Sequence, residues 1–236
     1  QLLWAEEYLH ALERGVAAAI EHERLLGSMN CGTIVDIGAN RGQFALVARH
    51  CFPASTIISF EPLGGPAAAF RRIFHGDKRT VLHEAAIGVV SEMRTMHVSR
   101  CDDSSSLLPI SALQTGIFPG TQEVSTLDVR VGPLEDFVSA SDLMGPAMLK
   151  LDVQGFEYEA LMGCESLLHC FSYVYCECSF LELYSGQKLA PVVIDWLSAR
   201  GFGLTGVYNL YHDRQGRAVQ ADLLFGRNGK DEGGFR

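Results

Sequence analysis

The chain has 236 residues, of which 47% are apolar, so the sequence suits one folded α/β domain over residues 1–236 and excludes a disordered tail. Its formal net charge of −9 makes nucleic acid a poor partner, because phosphate groups would be repelled and no dense run of Lys or Arg counters that repulsion. No apolar run approaches the roughly 20 residues that cross a bilayer, and no secretory signal opens the sequence, so we expect a cytoplasmic protein without a transmembrane segment.

The first part of the chain alternates predicted strands and helices. Apolar residues at helical spacing predict one helix over residues 5–26, inside an N-terminal helical region of residues 1–30. The apolar stripe of this helix would consist of Leu9, Leu12, Val16 and Ile20. Strands are then predicted at residues 33–37, 56–60 and 80–84, with helices at residues 42–51 and between Pro66 and Gly76. This order implies a parallel sheet with right-handed crossovers.

Residues 88–146 interrupt this rhythm. Residues 93–98 and 124–131 have the composition of strands, and between them lies a stretch rich in Ser, Gly and Pro at residues 102–120. Long irregular segments in compact domains are often functional. We therefore expect the inserted segment to shape the substrate site.

The last part of the chain resumes the alternation and ends in a hairpin. Strands are predicted at residues 147–152, 173–178, 202–209 and 218–225, and helices at residues 156–168 and 191–200. A dehydrogenase sheet usually closes with a parallel strand, whereas a methyltransferase sheet closes with an antiparallel one. We therefore expect an α/β, Rossmann-like class I methyltransferase fold. Its seven-stranded, mostly parallel sheet would have the order 3-2-1-4-5-7-6, with helices on both faces and a terminal antiparallel hairpin.

The sequence Asp-Ile-Gly-Ala-Asn-Arg-Gly at residues 36–42 places an acid at the end of the first strand and two glycines before a helix. Glycine lets the backbone turn sharply and approach a ligand closely. The free N–H groups at the start of a helix suit a carboxylate, such as that of S-adenosylmethionine. Asp36 would then lie beside the α-amino group of the same cofactor. The alternative is a glycine turn that only connects a strand to a helix.

Glu61 lies 19 residues past Gly42, at the end of the second strand, where a carboxylate can accept both ribose hydroxyls. Glu84 and Ala85, at the end of the third strand, would meet the adenine edge. Position 40 is Asn, so the G-x-G-x-x-G motif of dinucleotide-binding proteins is absent. Together these features predict S-adenosylmethionine as cofactor and S-adenosylhomocysteine as product.

Several motifs resemble those of the FkbM-type methyltransferases. They lie at residues 35–44, 60–62, 86–88, 104–107 and 149–157. The resemblance runs over roughly residues 30–227 and implies S-adenosylmethionine-dependent O-methylation of hydroxyls on sugars or polyketide-type natural products. It also places Ser104, Ser105 and Ser106 in the serine loop of the family, where they would contact the cofactor or the substrate. The alternative for them is a plain flexible loop. At position 154, where many relatives carry Glu, this chain has Gln.

The predicted cofactor-binding residues are accordingly Asp36, Gly38, Ala39, Asn40, Gly42, Glu61, Pro62, Glu84, Ala85 and Ser105. Two acids are candidates for the general base that a weakly nucleophilic hydroxyl would need. Asp152 ends the fourth strand, and the alternative for it is a cap of the following helix. Glu177 ends the fifth strand, and the alternative for it is a contact with the substrate or with another site residue. Lys150 is interpreted as the partner of an ion pair.

The seven cysteines form no C-x-x-C pair, and their number is odd, so we expect reduced thiols. Cys176 and Cys178 would share one face of a strand, but the spacing does not match a zinc ribbon or finger. We therefore expect structural thiols and no metal site.

Three functions remain open after these observations. The first is an S-adenosylmethionine-dependent O-methyltransferase that acts on a small-molecule or carbohydrate acceptor. The second is an NAD-type oxidoreductase on a similar sheet, and the third is a module that binds the cofactor without turnover in a biosynthetic complex. The sequence reveals neither the acceptor nor the oligomeric state.

Overall fold

A seven-stranded sheet lies at the centre of the computed structural model, which describes residues 5–229. The strands of the chain are β1 (Thr33–Ile37), β2 (Thr56–Phe60), β3 (Thr80–His83), β4 (Ala86–Ile87), β5 (Glu92–Ser99), β6 (Glu123–Gly132), β7 (Ala147–Leu151), β8 (Tyr173–Ser179), β9 (Phe202–His212) and β10 (Ala218–Arg227). The large sheet has the order β3-β2-β1-β7-β8-β10-β9, and a second sheet has the order β4-β6-β5.

Strand β10 is antiparallel to both of its neighbours, β8 and β9, whereas the other pairs in the large sheet are parallel. Counted within this sheet alone, the order is 3-2-1-4-5-7-6. The predicted fold class is therefore confirmed. The detail that the prediction lacked is the separate small sheet, in which β5 and β6 pair antiparallel and β4 joins β6 in parallel.

Seven α-helices are described within residues 5–229: α1 (Glu6–Leu12), α2 (Glu23–Leu26), α3 (Gln43–Cys51), α4 (Gly64–Ile73), α5 (Ala112–Ile117), α6 (Glu157–Gly163) and α7 (Ala190–Ser198). None of them is long and apolar enough to cross a membrane. The structure divides the predicted helix over residues 156–168 in two: α6 ends at Gly163, and a 3-10 helix follows at Glu165–Cys170. That all 236 residues form one domain stays a prediction, and residues 1–4 and 230–236 lie outside the described residues.

Two apolar cores lie on opposite faces of the large sheet. Alternate residues of β1 point to opposite faces, so Ile34 joins one core and Val35 joins the other. The first core also contains apolar residues of α1, α2, α3 and α4, and the second contains those of α6 and α7. This arrangement leaves the carboxyl ends of the parallel strands free to carry a site.

The prediction of one helix over residues 5–26 is wrong. Helix α1 ends at Leu12, and Gly15 adopts a left-handed conformation with φ of +77°, which stops the helix. The chain then continues as a 3-10 helix at Ile20–His22 before α2 begins. Leu9 and Leu12 are 40% and 58% exposed, whereas Tyr8 and Ala11 are buried. The buried face of α1 is therefore not the predicted stripe.

Candidate functional site

A cavity of about 560 Å³ lies at the carboxyl ends of the parallel strands. Its volume falls in the range of about 300–1,000 Å³ that is typical of small-molecule sites. The wall consists of the loops after β1, β2 and β7, together with parts of the inserted segment and of the N-terminal segment. The lining residues in these five parts include residues 38–40, 61–63, 152–154, 101–105 and 17–19.

The glycine loop after β1 is held in a conformation that requires glycine at two positions. Gly38 has φ of +82°, and a Cβ atom there would lie 1.8 Å from the carbonyl oxygen of Asp152. Gly42 caps α3 with φ of +93°, and a Cβ atom there would lie 2.7 Å from the Phe74 ring. Of the predicted loop residues, Gly38, Ala39 and Asn40 line the cavity. Gly42 does not line it and lies against the Phe74 ring instead.

Glu61 is the acid that the sequence placed after β2, and it lines the cavity although it is only 5% exposed. Its Oε2 accepts a hydrogen bond from the Asn40 backbone N–H at 2.9 Å, and its Oε1 accepts one from the Leu63 backbone N–H at 2.8 Å. Burial raises the pKa of Glu61 to about 7, against the effect of these two hydrogen bonds. The carboxylate is therefore fixed in position at the cavity wall.

Asp36 does not line the cavity, and its predicted contact with a cofactor amino group stays a prediction. Its carboxylate is fully buried, and the Lys150 ammonium lies 3.1 Å from its Oδ1. Burial raises the pKa of Asp36, while Lys150 acts in the opposite direction. Burial likewise disfavours the charge of Lys150, but the carboxylates of Asp36 and Asp152 outweigh it and raise the pKa of Lys150. Lys150, which does line the cavity, thus occupies the place beside Asp36.

Of the two residues predicted to contact adenine, one lines the cavity and the other does not. Ala85 lines the cavity, but Glu84 is exposed and pairs with Arg71 of α4 instead. The structure therefore turns Glu84 away from the site. Pro62 and Ser105 both line the cavity, and the Ser105 hydroxyl accepts a hydrogen bond from the Ser99 backbone N–H at 3.0 Å. That Ser105 contacts a ligand stays a prediction.

The two candidate bases lie in different positions. Asp152 lines the cavity with 38% of its side chain exposed. Glu177 is not among the lining residues, because the amides of Gln154 and Gln220 cover it with hydrogen bonds of 3.3 and 2.6 Å. Burial, followed by the negative charge of Asp152, raises the pKa of Glu177 well above its usual range. Asp152 is thus the better placed of the two.

Gln154 is the residue that joins the two acids. Its backbone has φ of +54°, which is uncommon for a residue with a side chain. Its Nε2 donates to Asp152 at 2.7 Å and to Glu177 at 3.3 Å, while its Oε1 accepts from the Tyr184 hydroxyl at 2.7 Å. The amide has two N–H donors and can thus bridge two carboxylates, whereas a Glu at this position has no donor when ionised and only one when protonated.

Sequence reasoning missed one wall of the cavity. Ala17, Ala18, Ala19, Glu21 and His22 all line it, and so does Gln220 of β10. The signal that could have found the N-terminal part is Gly15, because a glycine directly after the charged pair Glu13-Arg14 predicts that the helix ends there.

The cysteines of the described residues are all free thiols. Cys31, Cys164, Cys176 and Cys178 are buried, and burial raises the pKa of Cys31 to about 12. Within residues 5–229, no group of three or more His, Cys, Asp or Glu side chains could hold a metal ion.

Comparisons with known proteins identify the family of this chain. The family model described as the methyltransferase FkbM domain matches residues 36–204. The chain is 27% identical over 203 residues to 2-O-methyltransferase NoeI of Sinorhizobium fredii (strain NBRC 101917 / NGR234), which covers 84% of this chain and 79% of NoeI. It is 28% identical over 152 residues to Methyltransferase 1 of Beauveria bassiana (strain ARSEF 2860), over 55% of this chain and 57% of that protein.

Among solved structures, the methyltransferase FkbM from Methylobacillus flagellatus KT has a similar fold, with a TM-score of 0.52 and 15% sequence identity. The match covers 84% of this chain but 44% of that one, so this chain spans less than half of the length of that structure. At this identity the likeness shows the fold alone.

Proposed function

This chain belongs to the FkbM methyltransferase family, and on that premise we propose that it transfers a methyl group from S-adenosylmethionine to a hydroxyl oxygen of a small-molecule or carbohydrate acceptor. The observation that carries the proposal is the Glu61 carboxylate, which is fixed by two backbone N–H groups at the wall of the cavity. A carboxylate at the end of the second strand of a Rossmann-like sheet is suited to bind the two hydroxyls of a ribose.

The residues around Glu61 fit the remainder of this cofactor. Ala85, Ile87 and Met96 supply apolar surface near the end of the third strand, which suits the flat face of an adenine. Gly38, with no Cβ, allows the backbone of the loop to approach the ligand. When bound, S-adenosylmethionine supplies a methyl group on a positively charged sulfur. The carboxylates that line the cavity, among them Glu61 and Asp152, offset that charge.

The chain contributes chiefly by positioning the acceptor. A methyl transfer of this kind is an in-line displacement, and correct positioning alone can contribute about 7–11 kcal/mol. Asp152 lies on the cavity wall, so we assign it the contact with the acceptor, whereas Glu177 holds Gln154 and Gln220 in place behind it.

Binding of S-adenosylhomocysteine, measured by calorimetry, tests the cofactor assignment. At 100-fold excess over Kd, the ligand should stabilise the protein by about 2.7 kcal/mol in thermal unfolding. Binding of a nicotinamide dinucleotide in its place would overturn the proposal in favour of an oxidoreductase. Cofactor binding without methyl transfer to any acceptor would indicate a non-catalytic module.

Substitution of Glu61 by Ala should weaken binding of S-adenosylhomocysteine by about 10- to 100-fold, because hydrogen bonds to a charged group contribute about 1.5–3 kcal/mol. The matched control is Glu84→Ala, since Glu84 directly follows the neighbouring strand β3 but pairs with Arg71 on the surface. The control should leave Kd unchanged within about twofold. Equal losses in both variants would contradict the ribose assignment.

Binding should also depend on pH through Glu61, whose pKa is raised by burial to about 7. Ribose hydroxyls donate to the ionised carboxylate, so ligand binding favours the deprotonated form. We therefore expect the affinity to be constant above pH 8 and to fall below pH 7, by at most about tenfold per pH unit. Calorimetry across this range in Glu61→Gln, which cannot ionise, should show a much flatter profile.

A further inference from the structure

His22 is a cavity residue for which the function proposed above gives no role. It ends the 3-10 helix at Ile20–His22 and lies outside residues 36–204, which the family model matches. Its ring packs edge-on against Phe44 and Tyr175, with centroid distances of 5.2 and 5.5 Å. The side chain is 12% exposed, so the ring is held firmly and still reaches the cavity.

The two ring nitrogens of His22 have different surroundings. Nδ1 lies 3.0 Å from the Tyr175 hydroxyl and 3.3 Å from the Asn209 amide nitrogen, which can only donate. The Asp222 carboxylate lies 3.8 Å from Nδ1 and accepts a hydrogen bond from Asn209 at 2.7 Å. Among the described residues, Nε2 makes no hydrogen bond and lies 3.8 Å from the Glu21 carboxylate. When the Asn209 amide donates to Asp222 and to the Tyr175 hydroxyl, at 2.7 and 3.5 Å, Nδ1 can donate to Tyr175 and Nε2 then carries a free lone pair.

The charges around the ring suit a group that gains a proton. Glu21, Asp152 and Asp222 are negative, and Lys150 is the positive group near it. Burial lowers the pKa of His22, and Asp222 acts in the opposite direction. The ring is therefore neutral near pH 7, while Asp222 can stabilise the protonated form. Burial, followed by the charge of Asp222, raises the pKa of Tyr175, so its hydroxyl stays protonated.

A second observation, on Gln114, points to a ligand in the cavity. Gln114 of α5 is only 3% exposed and lines the cavity, and its Oε1 has no hydrogen-bond partner among the described residues. A buried acceptor of this kind is unfavourable unless a donor meets it. Phe118, which follows α5, packs on Tyr211 of β9 at 4.9 Å. Gln114 thus lies towards β9 and β10, whereas Glu61 follows β2.

We propose that His22 is the proton acceptor for the hydroxyl that is methylated, and that Gln114 binds the acceptor molecule; this rests on the proposed function. Asp152 is less free to take the proton, since its Oδ1 accepts from Gln154 and its Oδ2 lies 3.9 Å from Lys150. His22 Nε2 removes the hydroxyl proton while the oxygen forms its bond to the methyl carbon. The carbon–sulfur bond breaks with its electron pair on sulfur, so the products are a methyl ether, a thioether and an imidazolium.

Nitrogen NMR of protein labelled with [15N]histidine tests the proposal without any acceptor. Long-range 1H–15N spectra, assigned by comparison with His22→Gln, should show His22 protonated on Nδ1 and titrating below pH 6.5. A ring protonated on Nε2 at neutral pH would overturn the proposal, since it has no lone pair for the hydroxyl. Failure of the wild-type protein to bind S-adenosylhomocysteine would instead overturn the proposed function, whatever the tautomer.

The activity arm uses S-adenosylmethionine with a tritiated methyl group and a panel of neutral methyl glycosides. With any glycoside that the wild type methylates, His22→Gln should lower kcat by about 10²- to 10⁴-fold. Kd for S-adenosylhomocysteine should change less than about threefold, as in the surface control His50→Gln. A loss of cofactor binding that matches the loss of rate would overturn the proposal.

Asp222→Asn supplies a readout that a purely structural role would not move. Without the Asp222 charge, the pKa of His22 falls further, so the acid limb of kcat/KM for the glycoside should move to lower pH. The assay is run at saturating S-adenosylmethionine, which keeps Glu61 ionised and removes its contribution to this limb. An unchanged limb, or an unchanged kcat in His22→Gln, would contradict the assignment of His22.

Discussion

Substitution of Lys150 by Met is expected to destabilise the protein by about 3–5 kcal/mol at pH 7, because it leaves the Asp36 carboxylate buried without its cation. The ammonium lies 3.1 Å from Asp36 Oδ1 and also donates to the Gly38 carbonyl at 3.2 Å. Denaturation in urea, followed by circular dichroism, measures the loss. The loss should shrink as the pH falls towards 4, because burial already raises the pKa of Asp36 and the protonated carboxyl needs no cation.

Two controls separate the buried pair from a general effect of charge. Lys188→Met removes an exposed lysine and should change the stability by less than about 0.5 kcal/mol. The double variant Lys150→Met with Asp36→Leu removes both charges and should recover much of the loss, as replacement of buried pairs by apolar residues often does. A loss below about 1 kcal/mol in Lys150→Met would show that water reaches Asp36.

Substitution of Gly38 by Ala is the second large effect, and we expect a loss of at least about 4 kcal/mol. The new Cβ would lie 1.8 Å from the Asp152 carbonyl oxygen, so the backbone of one strand end must move. The φ of +82° adds a cost of about 1–2 kcal/mol for any side chain. Thermal unfolding measures the loss, and binding of S-adenosylhomocysteine should fall with it.

Two other glycines separate collision from backbone strain. Gly216 has φ of +79°, and a Cβ atom there would meet nothing within 4 Å. Gly216→Ala should therefore lower the stability by only about 1–2 kcal/mol. Gly64→Ala has open space in the first turn of α4 and should be neutral or slightly stabilising. Equal losses in Gly38→Ala and Gly216→Ala would mean that the strand ends move apart at little cost.

Features that depend on neighbours along the chain could be predicted from the sequence. The strand–glycine–helix unit at residues 33–51 and the acid after β2 follow from local spacing, as does the terminal hairpin that sets the sheet order. Glycine positions, helix stops and strand patterns are set by backbone geometry over a few residues. The class of fold and the position of Glu61 at the cavity wall could therefore be predicted from the sequence.

The partner of each charged side chain was decided by tertiary structure alone. Asp36 and Lys150 are 114 positions apart in the chain but lie side by side on neighbouring strands, so the pair removes Asp36 from the cavity. Glu84 turns to Arg71, and Glu177 is covered by Gln154 and Gln220. An acid at a strand end can face either a ligand or a protein cation, and the choice depends on burial and on elements far away in the sequence.

The N-terminal segment shows the same limit at the level of the site. Gly15 ends α1 early, and only the packing of the following residues on the sheet brings His22 to Tyr175 and Asp222. The apolar periodicity of residues 5–26 favoured one continuous helix, because periodicity alone does not show which face of a helix packs against the core. The sequence by itself thus determined the fold class and the glycine loop with Glu61. The tertiary structure decided which charged groups face the cavity, because long-range burial and pairing determine where a charge is stable.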